Sequence, residues 1–164
     1  MSRVAVAGLV LLVVAGPALA QGLPSEKYLP MSVALDAATA AVEACAKQGY
    51  RVSAAVVDRA GVVRVVLRGD GAGPHTPESS TRKAYTAVSF RMPTSFMSEY
   101  ASSTPAAAGI RHVDRVLMLG GGLPIAVGDD IVGAIGVGGA PGVDLDDACA
   151  QAGIDTIKAR LTAR

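Results

Sequence analysis

The side chains able to do chemistry are few, and most of them lie in one stretch. Arg68-Gly69-Asp70-Gly71-Ala72-Gly73-Pro74-His75 places a carboxylate and an imidazole on the same turn-rich segment. Asp70 and His75 together can hold a metal or move a proton, because imidazole titrates near neutrality. Two ligands on one loop leave a metal site incomplete unless another segment or subunit adds more. A solvated surface histidine is the competing reading. The other histidine, His112, lies between Arg111 and Asp114 and reads as a surface or interface residue. No His-x-x-x-His or Cys-x-x-Cys pair is present, which argues against a structural zinc site. Arg82, Lys83 and Tyr85 follow on a predicted helix. The two cations can pair with ligand carboxylates or simply face solvent. Met92, Met97 and Met118 can ligate an iron centre, but filling gaps in a core is the commoner use of methionine. There is no Gly-x-Ser-x-Gly elbow and no nucleophile beside an obvious base.

Two glycine-rich loops raise a second question. Gly136-Val137-Gly138-Gly139-Ala140-Pro141-Gly142 lies between a predicted strand and a predicted helix, the setting of a dinucleotide fingerprint. Its spacing is wrong, because Pro141 holds the place of the third glycine. No Lys-Ser/Thr pair follows, and Asp144, Asp146 and Asp147 would repel a phosphate at the helix start. Close approach of bare backbone, to another chain element or to a flat ligand, is the better reading for Gly138. Gly121, within Gly120–Gly122, reads the same way, with a tight turn as the plainer alternative.

These residues need elements to position them. Ser32 to about Gln48 predicts a helix with small apolar residues on one stripe (Val33, Ala37, Ala40, Ala41, Ala44, Cys45) and Gly49 as its stop. Ser53–Val57 and Val62–Leu67 predict two strands joined by Asp58-Arg59-Ala60-Gly61, which has hairpin chemistry. Glu78 to Arg91 predicts a helix ended by Pro93, and Thr94 can cap another to about Ala101. Ser102 to Asp114 predicts irregular chain. Val116–Leu119, Leu123–Val127 and Ile131–Val137 predict three more strands, and Asp144 can cap a last helix to about Leu161. The linkers are of hairpin length, so the expectation is one α+β domain with a mainly antiparallel five-stranded sheet.

The 164 residues are 51% hydrophobic and 18% charged, enough for one packed core and too apolar for a disordered chain. A formal net charge of +1 and an aromatic content of 4% argue against a nucleic-acid partner. Residues 1–20 have the layout of a secretory signal peptide: Arg3, an apolar run from Val4 to Ala15, then Gly16-Pro17 and the small-x-small triplet Ala18-Leu19-Ala20. The run is shorter than the ~20 residues of a membrane span. The expected mature chain is therefore a single domain, 21–164, periplasmic or secreted, with no membrane span. A disulfide can persist in such a compartment. Cys45, late in the first helix, and Cys149, early in the last, come level if the two helices lie antiparallel on one face of the sheet. Two buried free thiols remain the alternative.

Five stretches in order carry a family resemblance. They are Ala55-Val56-Val57-Asp58-Arg59-Ala60-Gly61, the Arg68–His75 segment, Arg82-Lys83-Ala84-Tyr85-Thr86-Ala87, Gly120-Gly121-Gly122-Leu123-Pro124-Ile125, and Val132-Gly133-Ala134-Ile135-Gly136-Val137-Gly138-Gly139-Ala140. Across residues 32–161 the chain resembles the GlcG/HbpS-like haem-binding family, which includes the C-terminal domain of PduO-type corrinoid adenosyltransferases. The resemblance implies a profilin-like sheet, assembly into homo-oligomers and haem as a ligand, with haem degradation or iron handling in some members. A common family form has Ser where this chain has Gly138.

Three readings of function compete. In the first, an exported haem- or tetrapyrrole-binding protein, His75 is the iron ligand and Arg68, Arg82 or Lys83 pairs with propionates, beside Tyr85, Gly121 and Gly138. In the second, the chain acts on a small organic acid or carbonyl compound, with Asp70 and His75 as acid–base groups. A non-catalytic oligomeric accessory subunit is a third reading.

Overall fold

The computed structural model describes residues 25–162; the expected signal peptide, residues 1–20, lies outside them. The elements are α1 (Met31–Lys47), β1 (Ser53–Asp58), β2 (Val63–Arg68), α2 (Thr76–Phe90), α3 (Thr94–Ser103), a 3₁₀ helix (Pro105–His112), β3 (Gly122–Val127), β4 (Asp130–Gly138) and α4 (Val143–Thr162). The sheet is antiparallel with strand order β2-β1-β4-β3. Among the described residues it has four strands, not the five expected.

Local chemistry explains the first hairpin. The Asp58 carboxylate accepts the N–H groups of Ala60 and Val62, both at 3.0 Å, and Gly61 takes φ +74. That pattern closes the chain back on itself and sets the β1–β2 register.

The missing strand is Val116–Leu119. Its apolar residues Val116 and Met118 are buried, but its backbone pairs with helix side chains instead of a neighbouring strand. The Leu117 N–H donates to Thr86 Oγ1 at 2.8 Å, and Arg82 Nη2 donates to the Val116 carbonyl at 2.8 Å. Val116 and Met118 pack with Met97 in a small core of their own, against Phe90 and Ile110. Two expected caps also differ. Thr94 is the first residue of α3, not its cap, and its Oγ1 accepts the Gly122 N–H at 2.8 Å. Asp144 lies inside the first turn of α4, where the Gly142 carbonyl accepts the N–H groups of Leu145 and Asp146.

β1 is central, so both its faces are buried and its side chains alternate between two cores. Ala54 and Val56, with Ile135 and Val137 of β4, face α1 and α4. Val57, with Ala134, faces α2 through Ala84, Ala87 and Val88. The small residues let the layers approach closely. A Cβ on Gly153 of α4 would lie 2.5 Å from the Ala37 carbonyl oxygen of α1. Cys45 and Cys149 are joined there as a disulfide, with Cα atoms 5.6 Å apart. Helices α1 and α4 therefore share one face of the sheet, and α2 covers the middle of the other.

Candidate functional site

The glycine-rich loops enclose a buried cation, not an open cradle. Lys83 projects from α2 and is 1% exposed. Its Nζ lies 2.8 Å from Asp146 Oδ2 and 2.9 Å from the Val137 carbonyl oxygen. A Cβ on Gly121 would lie 2.9 Å from that Nζ, and one on Gly138 would lie 3.7 Å from it and 2.7 Å from Ser79 Oγ. Backbone without side chains is needed at both positions because an ammonium group and a helix occupy the space. The second Asp146 oxygen accepts the Ala140 N–H at 3.1 Å, and Asp147 Oδ1 accepts the Gly121 N–H at 2.6 Å. Burial pushes the Asp146 carboxyl above its ordinary value; the hydrogen bond and charge of Lys83 and the backbone N–H groups of Ala140 and Gly139 pull the other way without cancelling it. Lys83 is thus committed to holding α2 against β4 and α4, and is not free to clamp a ligand.

A surface groove of about 820 Å³ runs between α2 and the edge strand β2. Val66 and Pro77 give it apolar wall, and Thr81, Arg82 and Arg115 bring polar groups. Glu78 and Asp114 contribute carboxylates. The volume is within the ~300–1,000 Å³ of small-molecule sites. Arg82 is anchored by its bond to the Val116 carbonyl, while its Nε is buried without a partner among the described residues. Arg115 has φ +66, a left-handed conformation that costs a non-glycine residue roughly 1–2 kcal/mol. Its guanidinium carbon stands 3.9 Å from the centroid of the Tyr85 ring, and Nη2 donates to the Gly61 carbonyl at 3.4 Å. Among the described residues neither guanidinium forms an ion pair with a carboxylate.

The other candidates fall in different places. Asp70 and Arg68 line a separate hollow with Tyr50 and Arg51, and Arg68 Nε ties down the loop by donating to the Ala72 carbonyl at 2.9 Å. His75 is the N-cap residue of α2 and is exposed, with its ring over Gly73, where a Cβ would lie 2.8 Å from Cε1. It precedes Pro77, a lining residue of the α2–β2 groove, by two positions and does not itself line that groove. Asp70 and His75, close in sequence, therefore do not line one cleft. His112 ends the 3₁₀ helix and is exposed. Met97 and Met118 are core residues, and Met92 is exposed. Among the described residues no group of three or more His, Cys, Asp or Glu side chains is placed to hold a metal. Arg115 escapes sequence reasoning altogether, since nothing in Val113-Asp114-Arg115-Val116 marks a left-handed residue.

The model of the family described as haem-degrading, HbpS-like proteins matches residues 29–155. A double mutant of Streptomyces reticuli HbpS is 43% identical with a TM-score of 0.78, covering 87% of this chain and 97% of that one. Klebsiella pneumoniae ORFY is 26% identical with a TM-score of 0.81, over 87% and 99% of the two chains. The PduOC:heme complex is 27% identical with a TM-score of 0.75, over 80% and 96%.

Proposed function

This chain belongs to the HbpS-like family of haem-degrading proteins, and we propose that it is an exported haem-binding protein that takes its ligand in the groove between α2 and β2. The observation that carries this reading is the groove itself: an open trough of about 820 Å³ with an apolar wall and two guanidiniums that, among the described residues, have no carboxylate partner. Haem has the matching chemistry, a flat apolar ring with two carboxylates on one edge. The relative that holds heme, the PduOC complex, shares the fold over most of both chains.

The residues present fit the group. Val66 and Pro77 offer surface to the ring, and Arg82 offers charge to a propionate. His75, exposed at the N-terminal end of α2, is the iron ligand in this proposal, since a neutral imidazole suits haem iron. Bound haem would supply a redox-active iron; the chain supplies position, an apolar wall and counter-charge. Export is supported by the signal-like residues 1–20 and by the Cys45–Cys149 disulfide, which suits an oxidising compartment. Iron or haem handling outside the cytoplasm is the corresponding role. Exposed Val62 and Val63, beside the free edge of β2, support the self-association that the family resemblance implies.

Hemin titration of the purified protein tests the reading. A Soret band should saturate with hemin, and His75→Ala should shift or abolish it. Binding no stronger than that of an unrelated control protein refutes haem binding. An unshifted band in His75→Ala refutes only the choice of iron ligand.

A further inference from the structure

We propose that Arg115 is a ligand-anchoring residue of the groove and, with Arg82, receives the carboxylate edge of the bound ligand. This rests on the haem reading above and specifies which edge of the ligand the groove selects. A bulky residue held at φ +66 persists only where its surroundings fix it, and such positions cluster at ligand sites. Here the fixing groups are visible. The Tyr85 ring lies under the Arg115 guanidinium at 3.9 Å, the Gly61 carbonyl accepts from Nη2, and the Gly61 turn presses against the same ring, where a Cβ would lie 2.9 Å from Tyr85 Cδ2.

Arg82 is tied into the same piece of chain, because its Nη2 donates to the carbonyl of Val116, the residue after Arg115. Both cations are thus set by one short backbone segment before any ligand arrives. A planar guanidinium with free N–H groups matches a carboxylate, and prior fixation lowers the entropic cost of binding. The carboxylates of Glu78 and Asp114 face the same groove and offset part of its charge. A bare anion is therefore held weakly, and a ligand must bring apolar surface as well as carboxylate.

The test compares hemin with hemin dimethyl ester, whose carboxylates are blocked, on the full-length purified protein and on Arg115→Gly. Glycine removes the guanidinium and relaxes the left-handed backbone, so a melting temperature at or above wild type shows that the fold is intact. Arg115→Gly should weaken hemin binding about 10-fold or more, with the Soret maximum unmoved because the iron ligand is untouched. The ester should bind wild type with a similar loss, and should not distinguish wild type from Arg115→Gly. Equal affinity of wild type for hemin and ester, or an unaltered affinity in Arg115→Gly, overturns the assignment while leaving haem binding intact. Failure of wild type to bind hemin at all overturns the haem reading and this one with it.

Discussion

Replacing Asp146 by asparagine isolates the buried pair that holds the glycine turns together. The side chains of Lys83 and Asp146 are 2% and 5% exposed, so neither charge has bulk water to fall back on. The amide in Asp146→Asn would keep the shape and an oxygen for the Ala140 N–H, yet leave the ammonium facing only neutral acceptors. Breaking a buried pair in this way costs about 3–5 kcal/mol, a large share of the ~5–15 kcal/mol that stabilises a typical domain. Lys83→Met should be milder. Asp146 then keeps its backbone N–H donors, and burial already raises its carboxyl, so protonation can remove the stranded charge. The pH dependence has a definite sign. With the folded-state value above the unfolded one, the native form binds the extra proton. Lys83→Met should therefore gain stability relative to wild type as pH falls through the raised folded value, and lose it as pH rises. Asp146→Asn has no such recovery. Urea denaturation followed by circular dichroism, at neutral and mildly acidic pH, reads all of these, and the Lys83→Met/Asp146→Asn double variant should be more stable than Asp146→Asn alone. A loss below about 1 kcal/mol in Asp146→Asn, or a double variant no better than that single one, refutes the electrostatic account.

Two further outcomes test the packing around the site. Cys45 and Cys149 are 104 residues apart in sequence, and closing such a loop is worth up to about 4.7 kcal/mol in the chain-entropy picture. Replacing both by Ala should lower stability by several kcal/mol at ~25 °C, and wild type unfolded and refolded under reductant should match it; a loss under about 1 kcal/mol contradicts that role. Gly136→Ala puts a methyl against the Ser80 carbonyl oxygen and 2.6 Å from the Ala84 nitrogen, so α2 must move, at a cost of about 1–3 kcal/mol or more. Gly109→Ala, where a Cβ meets nothing within 4 Å, should be near neutral, and equal thermal melts for the two variants would discount the close-approach explanation.

Much of the fold is legible because it is local. The helix and strand periods over α1, β1, β2, α2, β4 and α4 stand in the sequence, and the level placement of Cys45 and Cys149 follows once both helices share a face. What is not legible depends on distant partners. Val116–Leu119 has the composition of a buried strand, but whether its N–H and carbonyl groups meet a strand or the side chains of Thr86 and Arg82 is decided by packing. Lys83 reads as one more helix cation, and only a carboxylate 63 residues away makes it a core residue. Asp70 and His75 read as a pair because they are near in sequence. The turn at Gly71 and the start of α2 at Thr76 part them: Asp70 lines the hollow beside Arg68, and His75 is the exposed N-cap of α2 outside it.

The position of the groove follows from the number of helices on each face. Strands lie ~4.8 Å apart and a helix with its side chains is ~10 Å wide, so one helix covers about two strands. On one face α1 and α4 together cover the sheet, and their core runs from Val65 and Leu67 of β2 to Ile125 of β3. On the other face α2 is drawn tightly onto the two central strands by Gly136 and by the Lys83–Asp146 pair. That leaves the edge strand β2 only partly covered on this face among the described residues, and Val66 is 40% exposed as a result. Exposed apolar strand beside a helix is costly to hydrate, and a flat ring laid there would cover it. Arg82 and Arg115 line the same groove as Val66, so the proposed ligand would meet apolar strand and guanidinium together.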